Sequence, residues 1–478
     1  VVSPAVVSLT DVLPTVCEMS GLVPPAQIQG HSLVPLFFKP DRPSDRLAYA
    51  ETFYPRFHYG WSELQSFRDE RYKIILSPEP ELYDLSQDPG ETTNIIEKQR
   101  SVFLALNDRA AAFIKAAPQD SYKLDFSKVD EETQAKLAAL GYIGSFSNPE
   151  KLKGKRLASP RNKIGIFNEL SRAREIGLEG DAQEAIGIFR RIITEDPEIT
   201  DAYFSLGNVY FKTGKHEEAI QAFRQSLERK PDDSFTVINI ANSYAAMGRF
   251  AEAERFVLEY IDSGFNDPQL YFLLGNMNFH RKNYEAAVPY LEKCLSLNAQ
   301  SASSHNTLAA IFIIKNDLGP AQEHLDAARR LNPRLSNLNY NQAQLLENRG
   351  EVAAAVAAYE EELVQSPKHF KAMFNLSRLF RRTGEEGRER EILRRCLEVN
   401  PDFPLAYFYL ARIHLNRGEN LEEAVRLVQR GIELKPEPQD LPLGYFLLAD
   451  LYNRLGENGR SADAAQRGRE LAARLPRQ

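Results

Sequence analysis

Residues 202–231 read "AYFSLGNVYFKTGKHEEAIQAFRQSLERKP". Ala219, Phe223 and Leu227 stand at i, i+4 and i+8, one stripe of a helix, and Leu206 and Tyr210 form the same stripe in the segment before. Gly214 lies between the two segments, where a left-handed residue ends a helix at little cost. Pro231 stops the second helix, because proline cannot continue the hydrogen-bond ladder. Gly207 is small enough to let the two helices approach closely. The stretch is therefore a helix–turn–helix.

The same pattern returns along the chain, as in 304–333 and 372–401. Closing residues Pro197, Pro231, Pro268, Ala299, Pro333, Pro367, Pro401 and Pro436 are mostly 34 or 35 apart. Spacings of 37 and 31 around Pro268 predict one lengthened and one shortened loop. A 34-residue helix–turn–helix period resembles the tetratricopeptide repeat. About nine units are expected between 168 and 476, with the first and last the most degenerate, as capping units are. Pro289 is expected to kink the helix that contains it.

The resemblance implies an α-solenoid whose groove binds a protein or peptide. That groove is lined by first-helix residues around the Leu-Gly pair. Asn208, Asn242 and Asn276 recur there 34 apart, and Asn239, Asn341 and Asn375 precede the Leu-type residue, with Lys371 one turn before Asn375. Asparagine can both donate to and accept from a peptide backbone, and it can equally bridge neighbouring helices. The basic partners of the family's carboxylate clamp are replaced here by Phe204, Gln269 and Leu273, which argues against a binder of C-terminal carboxylates.

The first 145 residues are different. "ELYDL" (81–85) alternates like a short strand, and Asp88, Pro89 and Glu91 predict a capped helix running on through residue 117. Upstream, residues 9–20 read as a helix, and 47–53 and 62–77 as antiparallel strands with a hairpin at "RDERYK". The ordered blocks "S-L-x-D-x-x-P-T", "G-x-S-L-x-P-L", "R-x-x-R-Y-K" and "E-L-Y-D-L-x-x-D-P-x-E-x-x-N" resemble the C-terminal end of the sulfatases, which are alkaline-phosphatase-like hydrolases. The matched residues are Asp11, Pro14, Thr15, Gly30, Ser32, Leu33, Glu51, Arg68, Arg71, Tyr72, Lys73, Glu81, Leu82, Tyr83, Asp84, Leu85, Asp88, Pro89, Glu91 and Asn94. The segment 130–144 resembles the short helix closing the hydrolase part of such fusions.

The expected organisation is a sulfatase-like α+β piece (1–145), a basic linker (146–164) and a mainly α repeat array (165–478). The stretch 151–163 holds six Lys or Arg and no acid, and reads as a solvated linker.

In sulfatases the nucleophile is a formylglycine made from a C/S-x-P-x-R motif, beside a divalent cation, usually calcium. Neither can be placed here. Cys17 is followed by Glu18-Met19-Ser20-Gly21, and "SPRNK" (159–163) lacks the spacing. The resemblance therefore implies no catalytic or metal-binding residue and no cofactor in these residues, with calcium expected in a preceding catalytic half. With no initiating methionine, the chain is expected to be the C-terminal part of a longer protein. Only "TFYPRFHYGWSEL" (52–64) is a candidate to meet substrate: Arg56 and His58 facing an anionic ester, Tyr59 and Trp61 stacking on it. The competing reading is that these aromatics plug the small sheet onto the main hydrolase domain.

Net charge is −7, so no basic footprint for nucleic acid dominates. No apolar run is long enough for a membrane span. Three cysteines far apart, Cys17, Cys294 and Cys396, show neither a disulfide framework nor metal spacing, and the last two read as small core residues. Three functions stand open: a sulfate-ester hydrolase with a protein-binding arm, a scaffold carrying a degenerate hydrolase remnant, and a phosphate or phosphonate ester enzyme of the same superfamily. The compartment is not identified by the residues; export is implied by the sulfatase resemblance alone.

Overall fold

The computed structural model describes residues 5–25, 28, 30–40, 46–116 and 157–475. It divides into two compact units, one of residues up to Leu270 and one from Tyr271 onward. The segment 130–144 and most of the basic linker lie outside the described residues.

The first unit opens with a 3-10 turn (Leu9–Asp11) and helices α1 (Val12–Met19) and α2 (Val34–Phe38). A four-stranded antiparallel meander follows, β1 (Ala48–Thr52), β2 (Leu64–Arg68), β3 (Tyr72–Leu76) and β4 (Glu81–Asp84), in sequence order. Helix α3 (Tyr54–Tyr59) interrupts the β1–β2 connection and ends at Gly60, whose φ is +70°. Helix α4 (Arg100–Ala116) covers the sheet, and Phe67, Ile74, Leu82, Ile96, Leu106 and Ala110 form the core between them.

The residues that carry the sulfatase resemblance hold this piece together. Asp11 is fully buried and accepts from the Ser8 and His31 backbone N–H groups at 2.8 Å each and from Arg46 at 2.6 Å. Thr15 accepts from Leu33 N–H at 2.8 Å. A Cβ at Gly30 would meet the Thr10 carbonyl oxygen at 1.9 Å, so only glycine fits there. Arg71 donates twice to Asp84, at 3.1 and 2.8 Å, and these bonds hold the Asp84 carboxyl down to about 2.

The predicted helix after Pro89 starts late. Asp88 accepts from Thr92 and Thr93 N–H at 2.8 Å each, but the capped segment is a loop. Glu91 has a φ of +56°, which breaks helical propagation, and its carboxylate meets Lys73 at 2.6 Å. Asn94 then accepts from Leu82 and Ile96 N–H at 3.1 Å each, tying the chain back to β4. The helix begins only at Arg100. All four residues of β4 are buried, so the alternation of "ELYDL" does not mark a solvent face.

Nine helical hairpins follow among the described residues. Hairpin 1 is Ile164–Glu179 with Ala182–Glu195, hairpin 2 Thr200–Lys212 with His216–Arg229, and hairpin 3 Ser234–Ala246 with Phe250–Asp262. Hairpin 4 is Pro268–His280 with Tyr284–Leu297, hairpin 5 Ala302–Ile314 with Leu318–Leu331, and hairpin 6 Leu338–Asn348 with Val352–Gln365. Hairpin 7 is Phe370–Thr383 with Glu386–Val399, hairpin 8 Pro404–Arg417 with Leu421–Glu433, and hairpin 9 Leu441–Arg454 with Asn458–Ala473. In each, the first helix is called A and the second B.

From hairpin 1 to hairpin 8 the turn between A and B keeps its register. Gly180, Gly214, Gly248, Lys282, Asn316, Gly350, Gly384 and Gly418 all have positive φ, and each stands one full repeat period after the one before. The irregular spacing around Pro268 is therefore not a change of loop length. Pro268 is the first residue of helix A in hairpin 4, a position where its missing N–H costs nothing. Phe265 occupies the place equivalent to Pro231 one repeat later and stacks on Tyr260. Helix B of hairpin 4 runs unbroken through Pro289, which lies on its exposed side, so the carbonyl the proline leaves unbonded meets water.

Gly207 is required as expected: a Cβ there would come within 2.5 Å of the Phe223 ring. Lys282 carries the left-handed backbone that glycine carries elsewhere (φ +62°). Lys282→Gly is expected to stabilise the second unit by up to about 1 kcal/mol, since the steric cost of a Cβ exceeds the entropy cost of glycine. A rise in urea midpoint at unchanged slope checks this. Cys294 and Cys396 are buried as core residues, and burial pushes the Cys396 thiol up to about 12, an inert group. Helix B of hairpin 9 buries only Ala464 and Gly468, the wet outer face of a cap.

Candidate functional site

The stretch 52–64 is not an open platform. His58, Tyr59 and Trp61 are 3%, 2% and 4% exposed, and they pack onto hairpins 1 and 2. Helix α3 sets them there, with Pro55 at its start and the left-handed Gly60 ending it. The Tyr59 ring lies 6.0 Å from Phe167 and 4.6 Å from Trp61. Trp61 Nε1 donates to Asp196 at 3.3 Å, and Lys163 reaches the same carboxylate at 3.0 Å. His58 Nδ1 lies 3.4 Å from Asp201, which also accepts from Arg174 at 2.8 Å. Burial opposes the Arg174 charge, but Asp201 and Tyr59 more than offset it, and its pKa rises. Burial also pushes the Tyr59 phenol well above its ordinary value.

The reading of His58, Tyr59 and Trp61 as substrate-facing side chains is thus corrected: they are the plug between two domains. Arg56 pairs with Glu63 at 2.7 Å. Their partners among the described residues are the first repeats. The sequence does not disclose that partner, because Asp196 and Asp201 belong to the repeats and stand far along the chain from this loop.

The end of the basic linker is part of the same joint. Ser62 N–H donates to the Ala158 carbonyl at 2.9 Å, Arg161 pairs with Glu81 at 2.5 Å, and Asn162 donates to Glu79 at 2.9 Å. These three ties replace the solvated linker expected for residues 157–163. Glu81 also accepts from Tyr83 at 2.6 Å. The "ELYD" strand thus holds the chain where it re-enters the repeats.

The asparagines divide into two groups. In the first unit Asn208, Asn239 and Asn242 are half-buried, and their side chains make no hydrogen bond among the described residues. In the second unit Asn276 is half-buried and Lys371 is exposed. Asn341 donates to Asn306 Oδ1 at 2.9 Å, and Asn375 donates to Tyr340 and Tyr359 hydroxyls at 3.3 and 3.1 Å. Those two bridge neighbouring helices.

Among the described residues no group of three or more His, Cys, Asp or Glu is placed to hold a metal ion. Nor is any helix among them long and apolar enough to cross a membrane.

An α+β piece clamped to helical hairpins defines a mainly helical repeat protein with a small mixed head. Residues 2–112 match the family described as N-sulphoglucosamine sulphohydrolase, C-terminal. Tetratricopeptide-repeat families match residues 200–233, 268–301, 315–369 and 340–398. The first of these matched segments is a sulfatase C-terminal domain, and the later ones are tetratricopeptide repeats. The chain is 27% identical to the Delta 4,5-hexuronate-2-O-sulfatase of Bacteroides thetaiotaomicron over 137 residues, 28% of each chain. It is 29% identical to Arylsulfatase K of Bos taurus over 126 residues, 23% of this chain and 22% of the other. It therefore spans between a fifth and a third of the length of these relatives. Among solved structures, the APC/C hetero-tetramer Cut9-Hcn1 is similar with a TM-score of 0.45 at 13% identity, over 63% of this chain and 55% of that one.

Proposed function

We propose that this chain is the tail and arm of an enzyme that hydrolyses sulfate esters, with the repeats serving as its protein-binding arm. The observation that carries the reading is an apolar face on the sulfatase segment. Leu9, Val12, Val16 and Met19 follow one another at helical spacing along α1 and are 52–90% exposed, with Leu22, Val23 and Phe38 also exposed nearby in sequence. An isolated domain does not stably present such a stripe to water. A catalytic sheet packed there would cover it, and the matched relatives are sulfatases several times longer than the matched segment.

In that enzyme the sulfate nucleophile and its divalent cation belong to the catalytic sheet, and this chain supplies neither. Its own residues tie the arm to the enzyme through the Trp61–Asp196 and His58–Asp201–Arg174 contacts. A partner held by the arm is thereby kept at a defined place near the hydrolase.

The test is to express the full coding sequence and measure sulfate release from an aryl sulfate and from a sulfated uronic-acid disaccharide. Turnover of either is expected, and it is expected to disappear when the Cys or Ser of an upstream C/S-x-P-x-R motif becomes Ala. A folded full-length protein inert on both, or one with no such motif, would point to the scaffold instead.

A further inference from the structure

The asparagine position in the body of helix A changes character along the array. Asn208 in hairpin 2 is matched by Asn242 and Asn276 in hairpins 3 and 4, then by Arg378 and Arg412 in hairpins 7 and 8. A second position departs from its repeat in the same place. Ala185, Ala219, Ala253, Ala287, Ala321 and Ala355 recur once per repeat and are fully buried where helix B meets helix A. The next in the series is Glu389, 3% exposed.

These departures meet. Arg412 and Arg381 are the cations that act on the Glu389 carboxylate. The Tyr409 ring carries both guanidiniums, with Arg412 at 4.0 Å and Arg381 at 5.1 Å from its centroid. Yet neither arginine forms an ion pair with any carboxylate among the described residues, whereas Arg378 pairs with Glu347 at 3.3 Å. The Arg412 Nη2 and the Glu389 Oε1 are both buried without a hydrogen-bond partner. Buried donors and acceptors left unbonded cost stability, which sets this pair apart from the paired charges around it. Burial raises the Glu389 pKa and lowers that of Arg412, as expected of charges that neighbouring groups do not fully compensate.

We propose that Arg381, Tyr409 and Arg412 form a recognition site for the acidic side chains of a peptide, with Glu389 setting its threshold. This deepens, and rests on, the reading of the array as a protein-binding arm. A carboxylate in this site accepts from the exposed Arg381 fork and lies in the field of the half-buried Arg412, while the Tyr409 ring lies against both guanidiniums. Glu389 competes for the same cations. It keeps weakly acidic ligands out and lets a run of carboxylates in.

The test uses the 478-residue chain and fluorescein-labelled hexaglutamate, with hexalysine and inorganic sulfate as comparison probes. Hexaglutamate is expected to bind, more weakly as salt rises, and hexalysine not to. Arg381→Gln and Arg412→Gln are each expected to weaken it about tenfold. Glu389→Ala, which restores the alanine of the other hairpins, is expected to tighten it about fivefold and to raise the melting temperature. Because that variant returns the repeat to its usual residue, misfolding does not obscure the result. Hexaglutamate affinity unchanged in all three variants, or no binding at all, overturns the site. Sulfate displacing hexaglutamate at equal or lower concentration overturns the peptide assignment in favour of a free oxyanion. Neutral peptides that bind the chain equally well in the wild type and the variants, beside absent hexaglutamate binding, leave the arm reading standing while this site falls.

Discussion

Replacing Trp61 by alanine is expected to destabilise the first unit by about 3–5 kcal/mol, the usual cost of emptying a buried aromatic site. The indole is 4% exposed and lies between the Tyr59 ring and the first repeats, and its N–H is bonded to Asp196. Its loss opens a cavity and leaves the Asp196 carboxylate with Lys163 and the Glu198 N–H. The signature of a plug, as against an ordinary core residue, is where the loosening occurs. Amide hydrogen exchange is expected to rise together in α3, at the β1–β2 connection and at the start of helix A in hairpin 2. Protection between Ile74 and Leu82 is expected to hold, because that core is sealed by α4. Trp61→Phe is expected to recover most of the stability, since it restores the ring and forgoes one hydrogen bond. A loss below about 1 kcal/mol for Trp61→Ala would mean that the two domains do not depend on this contact.

Asp201→Ala is expected to cost about 2–4 kcal/mol, because removing one partner of a buried pair strands the other charge. Asp201 is 4% exposed, ion-paired to Arg174 and adjacent to His58. The cost falls short of the full penalty because Arg174 keeps about a third of its side chain in water. The double variant with Arg174→Met is expected to be more stable than Asp201→Ala alone, because the stranded charge is then gone. Chemical denaturation of the four proteins of this cycle measures the coupling. Additive losses would show that the two residues act independently.

These two residues also show what the sequence discloses and what it withholds. The hairpins are legible because their signals are local: a stripe of Ala219 and Phe223, a glycine at 214 with positive φ, and Gly207 against the Phe223 ring. The joint is not, because nothing within residues 52–64 names its partner. The same aromatics and the same histidine suit a ligand platform or a domain contact, and only the position of Asp196 and Asp201 decides. The helix start at Arg100 was hidden for a related reason. Asp88 and Pro89 are sound capping residues, but Lys73 and Leu82, distant in sequence, hold Glu91 and Asn94 in a loop.

The arginine site was within reach of the sequence. Stepping one repeat period at a time from Asn276 leads through Ala310 and Gln344 to Arg378 and Arg412. The same step along the buried alanines ends at Glu389. The recurring asparagines mark only the early part of that series, and the arginines stand where it changes. In repeat proteins, a departure from the internal pattern is the sharper signal, since each unit supplies its own control.

Whether the chain is part of a sulfate-ester hydrolase or of a repeat scaffold is decided most directly by sulfate release from an aryl sulfate. The protein is expressed from its full coding sequence and assayed before and after an alanine replaces the upstream nucleophile. Turnover abolished by that single change is the predicted result. A folded, full-length protein that releases no sulfate from any ester offered, while still binding peptide through its repeats, would contradict it.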